Sequence, residues 1–80
     1  IQNIVLYPNP SEGNFYLSWR DVKPTAIEVF DLTGKIIWSN YNLSQTTTEL
    51  SIDLSSVQQG VYFIKITTDN ASVVKRIIKK

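Results

Sequence analysis

The segment from residue 52 to residue 66 leaves the fewest options for how this chain folds. From Gly60 onward the residues alternate: Tyr62, Ile64 and Ile66 fall on one face, and Val61, Phe63, Lys65 and Thr67 on the other. A period of two in β-branched and aromatic residues is the pattern of a strand, not of a helix. Both faces begin apolar, so the start of this strand is expected to be covered on both sides. Lys65 and Thr67 mark where the second face reaches water. Ahead of the strand, Asp53, Ser55 and Ser56 suit local side chain to backbone bonding in a tight turn or single helical turn. Leu54 and Val57 are spaced so that one such turn points both inward. Gly60 supplies backbone freedom where the long strand begins.

The rest of the chain repeats this grammar. Residues 1–3 (Ile1, Gln2, Asn3) are expected to be the end of a linker, and residues 4–7 a short apolar strand. Pro8, Asn9, Pro10 and Gly13 stop it, because prolines cannot continue a ladder and glycine fits a turn exit. Residues 14–19 alternate, with Phe15, Leu17 and Trp19 on one face and Tyr16 and Ser18 on the other. A polar loop follows at 20–24. A strand is expected over 25–32, with Ile27 and Val29 opposite Ala26, Glu28 and Phe30. Residues 31–35 read as a hairpin opened by Asp31, with Gly34 left-handed beside a bulge. The returning strand is 36–38. Residues 41–49 are rich in Asn, Ser, Gln and Thr and read as a long loop or a weak edge strand. After a turn at 68–70, a last strand is expected over 71–80. About seven short strands, with turn signals between them and no helical period, argue a two-sheet β-sandwich.

Composition narrows function mostly by exclusion. The chain has 80 residues, which makes a single domain, 1–80. A domain of this size buries only about 60–65% of its unfolded-chain surface. It has no cysteine, so no disulfide framework, and no histidine, so neither the commonest general base nor the commonest metal ligand. The net charge of +1 gives no ground for nucleic-acid binding. No apolar run approaches the roughly 20 residues of a spanning helix, so no membrane insertion is expected. The chain opens at Ile1 without a start methionine, and reads as a piece of a longer protein.

Several short motifs, each common alone, stand here in one order and spacing. They are Tyr7-Pro8-Asn9-Pro10 with Gly13; Val29-Phe30-Asp31-Leu32-Thr33-Gly34-Lys35; Ile52-Asp53-Leu54-Ser55; Gly60-Val61-Tyr62; and the terminal run Lys75-Arg76-Ile77-Ile78-Lys79-Lys80. Together they cover essentially the whole chain. They resemble the type A C-terminal sorting domain of the type IX (Por) secretion system of Bacteroidota. The resemblance implies an Ig-like β-sandwich carried at the C-terminus of exported cargo. Its partners would be the translocon, shuttle and sortase proteins of that system and the covalently fused upstream cargo. Localisation would be the periplasm in transit, then the cell surface or the medium. The sortase would usually remove the domain, and the cargo would be joined to anionic lipopolysaccharide or released. Such a domain is the substrate of an enzyme rather than an enzyme, and needs no cofactor. Pro8, Asn9, Pro10, Gly13, Asp31, Gly34, Lys35, Asp53, Gly60 and Tyr62 match the family motifs, and their expected role is structural.

The terminal segment is the candidate for partner recognition: Lys75, Arg76, Ile77, Ile78, Lys79 and Lys80. Four of the chain's eight basic residues lie in it. A final strand at a sheet edge offers unpaired backbone and a basic end, which suits strand addition or docking to an acidic surface. Lysines on an edge strand also guard against aggregation, and the residues alone leave both readings standing. Asp31 and Asp53 read as turn formers rather than calcium ligands, since no dense Asp-x-Asp loop surrounds them. The rival function is a carbohydrate-binding or adhesive sandwich, raised by Trp19, Trp38, Tyr16 and Tyr41. Two or more coplanar exposed rings would support it, and buried rings would support sorting. A hydrolase would need a carboxylate pair in a cleft, for which so small a sandwich has little room.

Overall fold

The computed structural model describes residues 3–44 and 46–80. The expected linker residues Ile1 and Gln2, and Gln45 of the polar loop, lie outside the described residues. Asn3 is tied in, its carbonyl accepting from the Arg20 amide at 3.0 Å.

Among the described residues seven strands form: β1 (Ile4–Tyr7), β2 (Asn14–Trp19), β3 (Pro24–Phe30), β4 (Ile36–Asn40), β5 (Glu49–Asp53), β6 (Gly60–Thr68) and β7 (Ser72–Lys79). The strands pair with one another antiparallel, in one sheet of order β1-β2-β5 and a second of order β4-β3-β6-β7. The two sheets pack as an Ig-like sandwich. β3 ends at Phe30 instead of running to residue 32, because Asp31 turns its carboxylate back onto the hairpin amides. The polar stretch 41–48 forms no strand among its described residues, and β5 begins at Glu49.

The core follows from the alternation. Phe15, Leu17 and Trp19 of β2, Ile27 and Val29 of β3, Ile52 of β5 and Tyr62, Ile64 and Ile66 of β6 are all buried between the sheets. Leu54 is buried and Val57 half-buried, joined by a bond from the Val57 amide to the Leu54 carbonyl at 3.2 Å. The hairpin holds Gly34 at φ 88°, and a register shift sits between Val29 and Phe30.

One expectation fails. Val61 and Phe63 are not covered by a second layer. They lie on the outer face of the four-stranded sheet, half-buried by their lateral neighbours only. The apolar start of β6 therefore does not mean that the domain itself encloses both sides.

Strand direction divides the sandwich into two ends. β1 runs from Ile4, opposite Trp19, to Tyr7, opposite Tyr16. β3 runs from Pro24, opposite Thr68, to Phe30, opposite Phe63. One end therefore gathers Asn3, the loops 20–23 and 69–71, and the described residues of 41–48. The other gathers the loops 8–13, 31–35 and 54–59 together with Lys80.

Candidate functional site

The second end is the candidate site, and its centre is the 8–13 loop. Prolines at 8 and 10 remove two backbone donors, so the loop satisfies itself through Asn9 and Ser11. The Asn9 side-chain amide acts as a peptide group of an added strand. Its Nδ2 donates to the Arg76 carbonyl at 3.0 Å, and its Oδ1 accepts from the Ile78 amide at 3.0 Å. Ser11 continues the ladder as a parallel bridge to Lys79. Its amide donates to the Ile78 carbonyl at 3.0 Å and its carbonyl accepts from the Lys80 amide at 2.8 Å. The Ser11 hydroxyl donates to the Asn14 carbonyl at 2.7 Å and accepts from the Gly13 amide at 3.1 Å. Ser11 is the one buried polar residue among the described residues, and its amide, carbonyl and hydroxyl are all bonded. Sequence reading passed over it, because a serine in a proline-rich turn looks like any turn residue.

β7 is thus a sheet edge whose last residues are not open. Bonds with Asn9 and Ser11 use the Arg76 carbonyl, the amide and carbonyl of Ile78 and the Lys80 amide. By the same alternation the outward groups of Val74 and the amide of Arg76 carry no bond among the described residues, so the open edge of β7 lies ahead of the Arg76 carbonyl.

The terminal residues divide by face. Ile77 is fully buried in the core. Lys79 turns onto the 54–59 turn, its Nζ donating to the Val57 carbonyl at 2.6 Å and the Ser55 carbonyl at 3.3 Å. Lys75 shares that inward-facing row and is half-exposed. Arg76, Ile78 and Lys80 face outward and are exposed. Of the six residues expected to meet a partner, Ile77 has no surface to offer one in the folded domain. Its side chain supports the strand that carries the others.

The remaining motif residues surround this clamp. Gly13 has φ 150°, and its carbonyl accepts from the Leu54 amide at 2.7 Å. A Cβ at Gly13 would stand 2.8 Å from the Ser55 Cα, so the two turns touch only because this residue is glycine. Asp53 Oδ1 accepts from the Ser55 amide at 2.9 Å. The Ser55 hydroxyl, then its amide, hold the Asp53 carboxyl below its ordinary value. Tyr62 is buried, and its hydroxyl donates to the Gln58 carbonyl at 2.6 Å, fastening the 54–59 turn to β6. In the hairpin, Asp31 Oδ1 accepts from the Thr33 hydroxyl at 2.6 Å, the Thr33 amide at 2.9 Å and the Lys35 amide at 3.0 Å. The Thr33 hydroxyl and then the Lys35 amide lower its pKa. Both aspartates are thereby turn acceptors. Pro8, Asn9, Pro10, Gly13, Asp31, Gly34, Lys35, Asp53, Gly60 and Tyr62 all come to this end, although residues 8 and 62 are far apart in the chain.

The aromatic residues do not form a sugar platform. Trp19 is buried, and Trp38 is half-buried against the core. Tyr7 and Tyr16 are exposed, but their rings stack on one another, 5.8 Å between centroids and 29° between planes. Tyr41 is exposed and its hydroxyl donates to Glu28 Oε2 at 2.8 Å, a bond that raises the phenol pKa. A cleft of about 560 Å³ lies at the opposite end between Trp19, Arg20, Thr48 and Asp69. None of the motif residues lines it.

Residues 5–80 match the family described as the secretion system C-terminal sorting domain. The chain is also similar to an ulvan lyase of Nonlabens ulvanivorans, 26% identical over 76 residues. That alignment takes in 91% of this chain and 13% of the lyase, so the chain spans a small part of that relative's length.

Proposed function

Because the chain belongs to the secretion-system C-terminal sorting domain family, a type IX sorting signal, we propose that the end built around Asn9 and Ser11 is what the secretion machinery reads. The domain directs a covalently joined upstream cargo across the outer membrane. The translocon and shuttle proteins engage it as a folded unit, and a sortase then cuts ahead of it. Lys75, Arg76, Ile78, Lys79 and Lys80 carry the recognition, with Arg76, Ile78 and Lys80 on the accessible face and Ile77 as their buried anchor.

The observation that carries this reading is the convergence itself. Motifs scattered from residue 8 to residue 80 meet at one end, and the loop after β1 fastens the terminal strand there. A segment joined ahead of Asn3 leaves from the other end, along a molecule 32 Å long. Cargo of any shape then stays clear of the recognised surface, as a signal shared by unrelated cargoes requires. The buried Trp19, the half-buried Trp38 and the self-stacked tyrosines give the sugar-binding alternative no such support.

The test is a secretion assay in a host carrying a type IX system. A signal peptide and fluorescent reporter are joined to residues 1–80, and a matched fusion carries Arg76→Glu and Lys80→Glu. Both substitutions keep the backbone bonds to Asn9 and Ser11, so folding is retained. The parent fusion is expected at the surface and the variant in the periplasm. A parent fusion that stays periplasmic while folded defeats the sorting reading.

A further inference from the structure

The uncovered face of β6 points to a second contact surface. Register places Ile36 of β4, Phe30 of β3, Phe63 of β6 and Arg76 of β7 in one row across the outer face of the four-stranded sheet. The neighbouring row pairs Val61 with Ile78. Ile36 and Ile78 are 44% and 37% exposed, and Phe30, Phe63 and Val61 are half-buried. This makes one continuous apolar surface over four strands, where an antiparallel sheet facing water carries polar residues. Its charge is one-sided. Glu28 lies across from Lys65 and already accepts from Tyr41, and the parallel bridge of Ser11 to Lys79 brings Glu12 alongside Lys80, while Arg76 lies across from Phe63 with no carboxylate beside it in the register.

We propose that this face is a protein-docking surface, and that its occupant is a component of the secretion machinery presenting an apolar patch rimmed by carboxylates. The inference rests on the sorting reading and extends it from the end of the sandwich to one flank. Burial of the Ile36–Phe63–Val61–Ile78 surface supplies the affinity, and carboxylates opposite Arg76 and Lys80 set the orientation. A second copy of the chain fits less well. Face to face, the copy offers Arg76 no carboxylate but Glu28, which already faces Lys65 and accepts from Tyr41. Head to tail, on the outer face of the other sheet, it would propagate as an open filament. A lipid surface fits less well too, since Phe30 and Phe63 are already half-buried among their neighbours.

Ile36 is the residue to test, because it lies on an edge strand outside both the terminal segment and the end loops. In the secretion assay, Ile36→Glu is compared with Val5→Glu, which is exposed on the outer face of the other sheet. The paired substitution Ile36→Thr with Val61→Thr serves as a second variant that keeps strand-forming residues. Unfolding curves establish that each variant is folded. Both face variants are expected to lower the surface fraction by about tenfold or more, whereas Val5→Glu is secreted like the parent. Folded face variants that reach the surface like the parent overturn the docking face and leave the sorting reading intact. A parent that never reaches the surface defeats the sorting reading, and the face falls with it. The purified domain is expected to sediment as a monomer and to ignore vesicles rich in phosphatidylglycerol. A dimer, or vesicle binding, that Ile36→Glu abolishes assigns the face to a second copy or to lipid and overturns the protein partner.

Discussion

At the scale of single residues, the site is held by side chains that substitute for backbone. Asn9 reaches the terminal strand with one donor and one acceptor, each at 3.0 Å. Neutral hydrogen bonds of this kind contribute about 0.5–1.5 kcal/mol each. Asn9→Ala is therefore expected to cost about 1–3 kcal/mol in denaturant unfolding, and to speed hydrogen exchange at the Ile78 amide more than at the β3 amides. Unchanged Ile78 exchange would mean that the strand holds without the clamp. Asp31 acts through charge. Its folded-state pKa is depressed, so its contribution is present above the unfolded carboxyl value of about 4 and is lost as pH falls through the lower folded-state value. Asp53 follows the same sign. Stability is expected to decline in that acid window, and Asp31→Asn to flatten the decline. An equally steep decline in the variant would remove Asp31 from the account.

At the scale of elements, Gly13 and Gly60 separate two reasons for glycine. Both have φ 150°, a conformation that costs other residues about 1–3 kcal/mol. A Cβ at Gly60 meets nothing within 4 Å, whereas at Gly13 it meets the Ser55 backbone at 2.8 Å. Both alanine variants are expected to be destabilised, Gly13→Ala by roughly 1 kcal/mol or more beyond Gly60→Ala, since backbone cannot yield as a side chain does. Equal losses would show that conformation alone matters at both. The same contrast explains what could be read in advance. The alternation of Phe15, Leu17 and Trp19, or of Tyr62, Ile64 and Ile66, is a local property and gave the strands and the core face directly. The hairpin was legible because Asp31 and Gly34 act within a few residues of each other. The clamp of Asn9 onto Arg76 and Ile78 was not, because nothing near Asn9 records its partner 67 and 69 residues away. Nor did the pattern of β6 say whether Val61 and Phe63 are covered by the domain or left for something else.

At the scale of the whole molecule, what matters is that the two ends do different things. Asn3 and Lys80 lie at opposite ends, and Lys80 sits among the motif loops with its amide bonded to Ser11 at 2.8 Å. A folded protein joined directly after Lys80 would stand over the proposed recognition surface, while the same protein ahead of Ile1 would not. The obstruction has a length scale. A flexible linker of n residues spans about 5–6 Å × √n, so about 5 residues give roughly 12 Å and about 60 give roughly 43 Å. The domain is 22 by 21 Å across its long axis. A reporter on the short linker is therefore expected to block surface delivery without changing the unfolding midpoint, and the long linker to restore most of it. Full delivery with the short linker would move the recognised surface away from this end. Failure at every linker length would mean that the machinery tolerates no chain joined after Lys80, and that crowding over the recognised surface is not what blocks delivery.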